Sequence, residues 1–230
     1  MEVIMRHILL ATCRYMLWVI TAVHLIFMAL FFARHRKTRN ILFLLSGLIT
    51  VGLFYDALIL AMGGILPDGP VLKALSRARF VSHGALIPLI FVICAYALDF
   101  SPFWKKVTWA FTGVLVALGI AEGFSVDLAL QSVAGINRYT SGENTPSWAE
   151  AVSGILSYGT VIPLIIAGVV AWVKQKSPTL FFSGFLMFLF SALGPATGNF
   201  DLIFYISMYG EVLMVLNFYL YSLKKKLKLL

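Results

Sequence analysis

The sequence predicts an all-α, polytopic membrane protein of seven transmembrane helices, with its N-terminus outside and its C-terminus in the cytoplasm. Three observations predict it. Of 230 residues, 60% are hydrophobic and only 12% charged, and the mean hydropathy of +0.92 lies outside the range of ordinary globular domains. Seven segments, near 8–33, 41–65, 80–98, 107–124, 151–173, 179–198 and 202–223, carry the roughly 20 mostly apolar residues needed to cross a hydrocarbon core about 30 Å thick. Of the eighteen lysines and arginines, twelve fall in one set of connections and the C-terminal tail, including Arg34–Arg39, Lys105, Lys106, Lys174, Lys176 and Lys224–Lys228. The positive-inside bias places that side in the cytoplasm.

Each element follows in order. The first segment is too long for a signal-peptide core and is followed, not preceded, by its basic cluster, so it stays as the first span. The second holds an acid, Asp56, behind Tyr55 in the run Ile49–Met62. A carboxylate deep in a spanning helix is costly and marks a functional candidate facing a bundle interior or water-filled cavity. Before the third span come Pro67-Asp68-Gly69-Pro70 and an amphipathic stretch from Val71 to Phe80. Short basic connections predict that the third and fourth spans, and the fifth and sixth, are antiparallel neighbours. Residues Ser125 to Trp148 read as a polar outer loop, and Asn199-Phe200-Asp201 as a tight turn between the last two spans. Almost no chain remains for a soluble domain, so residues 1–230 form one transmembrane domain, integral to a bacterial cell membrane or a eukaryotic endomembrane.

The third span has Ser82-His83-Gly84 starting seven residues before Leu89-Ile90, and the fifth has Ser157-Tyr158-Gly159 starting seven before Leu164-Ile165, with Pro88 and Pro163 kinking both at one level. Tyr209-Gly210-Glu211 in the last span is a weaker copy. The pattern reads either as an internal repeat or as packing by small residues. At about 1.5 Å rise per residue, Asp56 and Glu122 lie in the outer half and Glu211 near the midplane. With His83, Tyr158 and Tyr209 they are candidates to line one cavity opening outward. Glu122 is expected at the headgroup interface or in an interhelix hydrogen bond.

Several functions are excluded. The net charge of +8 flanks helix ends, where it sets topology and meets anionic lipid, so no nucleic-acid partner is implied. Cys13 and Cys94 differ too much in depth for a disulfide. His24 and His83 lie at different depths and no metal-ligand spacing occurs, so neither haem nor metal is expected, and His24 reads as a satisfied core histidine. With every lysine in a loop, a helix end or the tail, none can carry a retinal Schiff base. No cofactor is predicted. A carboxyl group desolvated in apolar surroundings keeps its proton and can act as an acid, which suits protonation of a double bond, ether or epoxide in a lipid or isoprenoid.

Gly184-x-Leu186-x-Phe188-x-x-Ser191, followed by Ala196 and Phe200, resembles the late-helix pattern of the lysoplasmalogenase family, membrane enzymes that hydrolyse the vinyl-ether bond of lysoplasmalogens. Tyr55-Asp56-Ala57-Leu58 and Phe80-x-Ser82-His83 resemble two earlier motifs of that family. Ala192 stands where the family has a second Asp, Tyr55 replaces a Gly, and one N-terminal helix is missing from the usual eight. The chain also resembles small seven-helix membrane terpene cyclases, which pair an acid behind an aromatic on the second helix with an acid on the last. Intramembrane placement together with these resemblances makes Asp56, Glu211 and His83 the candidate catalytic residues, and Tyr55, Tyr158, Tyr209, Ser191 and Asn199 the candidates for substrate binding. A non-enzymatic carrier or sensor of a small molecule or lipid, hinged at Pro88, Pro163 and Pro195, is the alternative.

Overall fold

The computed structural model describes residues 2–225. Lys226 and Lys228 of the basic tail lie outside the described residues. Eight α-helices make seven spans: α1 (Glu2–Thr38), α2 (Ile41–Met62), α3 (Pro70–Leu86) with α4 (Leu89–Ala97), α5 (Pro102–Ser125), α6 (Ser147–Gln175), α7 (Thr179–Ala196) and α8 (Ile203–Lys224). The protein is an all-α seven-helix membrane protein.

Local sequence sets the boundaries. Asn40 caps α2 by accepting the Leu42 N–H at 2.9 Å, and Pro70 and Pro102 occupy first-turn positions where a missing N–H is harmless. Pro88 breaks the third span because it has no N–H to donate and its ring crowds the preceding turn. The expected disruption is therefore present there as a two-residue break, whereas α6 runs through Pro163 without interruption. The amphipathic stretch before Phe80 is the first half of that same span, not a separate loop helix.

The spans form a ring closed by contact between α1 and α8, with α2, the α3–α4 span and α8 the most buried. Antiparallel neighbours pack as expected at α4–α5 and α6–α7. Glycines allow close approach: a Cβ on Gly84 would overlap the Gly119 backbone, and the reverse, so α3 and α5 cross in direct backbone contact. At the end where α1 finishes, Phe27, Phe31, Phe43 and Tyr219 form an edge-on aromatic cluster.

The opposite end carries an element the sequence reading missed. Within the supposed polar loop, β1 (Leu128–Val133) and β2 (Ile136–Ser141) pair antiparallel, Val133 opposite Ile136 and Gln131 opposite Arg138. Ala134 and Gly135 both have positive φ, 54° and 72°, the left-handed two-residue turn whose twist matches a hairpin. The hairpin lies on the bundle. Asn137 N–H donates to Gly63 O at 2.9 Å, Ile136 packs with Ala57, Leu60 and Ala61 of α2, and Leu128 and Tyr139 pack with Ile59 and Leu72. Arg77 of α3 donates to the Gly123 and Phe124 carbonyls at the C-terminus of α5, each at 3.1 Å, which fixes the strand exit.

Candidate functional site

Two adjoining cavities share a wall within the bundle. The first, about 420 Å³, is charged: Asp56 of α2, Arg79 and His83 of α3, Glu122 of α5 and Arg138 of β2 line it. Arg79 and His83 are four residues apart and so share a helix face. Arg79 is buried; its Nε stands 3.5 Å from Asp56 Oδ1, and its Nη2 donates to Tyr139 O at 3.0 Å. Asp56 is thus held in an ion pair with Arg79. His83 shares its cavity.

The hairpin turns Arg138 into the chamber. Its guanidinium lies 4.1 Å from the Phe204 ring centroid and donates to Gln131, its partner in the ladder. Burial first, then the neighbouring Arg79 cation, push the Arg138 guanidinium down to about 10. Glu122 is buried and faces the chamber, so it is not the lipid-interface acid its depth suggested.

The second cavity, about 300 Å³, is largely apolar, with Leu53, Ile87, Ile90 and Met187 among its walls. Glu211 reaches it from α8, eight residues and about 12 Å below Ile203. Glu211 is buried, and its Oε2 has no hydrogen-bond partner among the described residues. Ser191 and Tyr158 also line this cavity. Tyr158 and Phe188 are strongly exposed on the flanks of α6 and α7, so the cavity reaches the lipid-facing side between those helices. His83, Leu156, Ser157 and Ile203 line both cavities and form the wall between them.

The structure therefore gathers Asp56, His83, Glu211, Tyr158 and Ser191 around two joined cavities. It does not bring in the other three candidates. Tyr55 turns away to donate to Leu75 O at 3.1 Å, and Tyr209 shares a 2.5 Å hydrogen bond with Tyr205. Asn199 is engaged in the α7–α8 turn, donating to Thr197 and accepting from Arg6 at 2.8 Å.

A scan against protein-family models and a search of the curated proteins give no match. The site must be read from its own groups. Arg79 and Arg138 belong to it, although neither is among the candidate site residues that the sequence predicts. No local pattern marks Arg138: Ala134-Gly135 is not one of the Asn-Gly or Asp-Gly pairs that announce a hairpin turn, and the inward course of Arg138 depends on where the hairpin docks. His24 is fully buried with neither ring nitrogen partnered among the described residues, so it is not the satisfied core histidine expected. Cys13 and Cys94 are both free and buried.

Proposed function

We propose that the chain is a membrane-embedded acid-base enzyme acting on a lipid or isoprenoid, with Glu211 as the general acid. The observation that carries this reading is the Glu211 carboxyl, buried in a spanning helix beside an apolar cavity, with an oxygen that has no partner among the described residues. An unpaired anion is costly in such a place. The neutral acid is the form the cavity accommodates, and that form can hand a proton to an electron-rich carbon or oxygen.

For a vinyl ether, the Glu211 proton goes to the β-carbon and the π pair forms the new C–H bond. The oxocarbenium ion left behind adds water, and the hemiacetal breaks its C–O bond to give an aldehyde and an alcohol. For a polyprenyl epoxide, the proton goes to the epoxide oxygen as its C–O bond opens, a double bond closes the ring, and a base removes the last proton. In either case the proton lost by Glu211 is returned, from the added water or from the cyclised cation. His83, in the wall between the cavities, is the residue assigned to pass it back, with the Asp56–Arg79 pair supplying the adjacent charge. Tyr158 and Ser191 are assigned to substrate contact in the apolar cavity.

The resemblance to lysoplasmalogenases and to membrane terpene cyclases supplies these two candidate reactions. The test is to incubate the purified protein in lipid nanodiscs with a lysoplasmalogen and, separately, with a polyprenyl epoxide, and to follow products by mass spectrometry. Conversion of either supports the reading. Conversion of neither, with an amphiphile retained unchanged through purification, supports a carrier or sensor instead.

A further inference from the structure

Arg138 is a partly buried cation that forms no ion pair with a carboxylate among the described residues. The other arginine of the chamber has its counter-charge, since Arg79 stands 3.5 Å from Asp56. For Arg138 the described residues supply the Phe204 ring and one acceptor, Gln131, while its Nε is buried without a partner among them. A guanidinium presents five N–H donors in a planar fork suited to carboxylate and phosphate, so much of that capacity is unspent. Glu122 faces the same chamber from α5 yet forms no ion pair with either arginine among the described residues. A charge that served only to anchor the loop to lipid headgroups would sit at the surface. This one is oriented by a strand partner and an aromatic ring, inside a chamber.

We propose that the charged chamber is an anion-binding site in which Arg138, with Arg79 beside it, holds the carboxylate or phosphate of an amphiphile whose apolar part lies in the adjoining cavity. The shared wall of His83, Leu156, Ser157 and Ile203 makes head site and tail site neighbours. The hydroxyls of Thr140, Ser153 and Ser157, which also line the chamber, supply neutral donors to the same head. From the proposed function this takes only that the apolar cavity receives a tail. Whether Glu211 transfers a proton is a separate matter.

The experiment measures binding of dodecyl phosphate, laurate and dodecanol to the purified full-length protein in dodecyl maltoside. At least one anionic amphiphile binds about tenfold or more tighter than dodecanol, and Arg138→Gln reduces that preference to about threefold or less, because the fork and its charge are both lost. Arg138→Lys, which keeps the charge but not the fork, also loses about threefold or more of the preference, and it decides the matter should Arg138→Gln fail to fold. Tighter binding of dodecyl phosphate than of laurate assigns a phosphate head, and the reverse order a carboxylate. Glu211→Gln retains the anion preference. Its failure to turn over substrate while doing so would separate the acid from the head site. Equal binding of all three probes by the wild type, or a preference unchanged in both Arg138 variants, overturns the assignment.

Discussion

Replacing Asp56 by Asn removes the counter-charge of Arg79 and leaves a guanidinium whose side chain is only 10% exposed. The size of the effect follows from the geometry. At an effective dielectric of about 20, unit charges separated by the observed 3.5 Å attract by roughly 5 kcal/mol. Breaking a buried pair costs about 3–5 kcal/mol because the survivor is left unpaired. Here the Asp56 side chain is 18% exposed to the chamber, and Arg79 keeps its bond to Tyr139 O and its place over the Phe80 ring. A loss near the lower end, about 3 kcal/mol, is expected, which for a chain of this length lowers the unfolding midpoint by about 6–12 °C. Thermal unfolding in detergent, followed by tryptophan fluorescence, measures it. In the double variant Asp56→Asn/Arg79→Gln much of the loss should be recovered, giving a coupling of about 2 kcal/mol between the two sites. A single variant that unfolds within about 1 °C of the wild type, or two losses that simply add, would refute the pairing as a source of stability.

Asn199→Ala should destabilise the protein by about 1–3 kcal/mol, since it removes a buried amide from the Arg6 and Thr197 network, and should leave amphiphile affinity unchanged. A large loss of affinity at wild-type stability would instead return Asn199 to the site. The topology expected from the basic residues is checked with Ser141→Cys, at the exposed end of β2: a membrane-impermeant thiol reagent should label it from outside the cell and not from the cytoplasmic face.

The spans were legible because crossing a membrane demands a composition that soluble helices do not need, and Pro88 announced its own break. Asp56 and Glu211 were legible for the same reason: an acid in such a run must be compensated. What the sequence reading lacked was direction. Tyr55 precedes Asp56 by one residue and so points about 100° away, toward Leu75. Tyr209 is two residues from Glu211 and about 200° around the helix, which takes it to Tyr205 and not to the cavity. Glu122 was judged by depth alone, although Gly119 and Gly123, three residues before it and one after, mark the face of α5 that meets α3. The hairpin was hidden by composition, since residues 125–148 are polar enough to pass for a plain loop. With it went Arg138, whose inward course depends on docking against α2 and α3 that no local pattern reports.

Proton donation by Glu211 is tested by turnover of a vinyl-ether lysolipid in D2O, comparing wild type, Glu211→Gln and Glu211→Asp in nanodiscs. The wild type should release an aldehyde carrying one solvent deuterium on the carbon next to the carbonyl. Glu211→Gln should lose about 10²-fold or more of the rate, as expected for removal of a general acid, with Glu211→Asp between the two. If the lysolipid is not a substrate, the same three proteins are compared on a polyprenyl epoxide, scored by cyclised product. Wild-type rates and label in Glu211→Gln would contradict Glu211 as the acid.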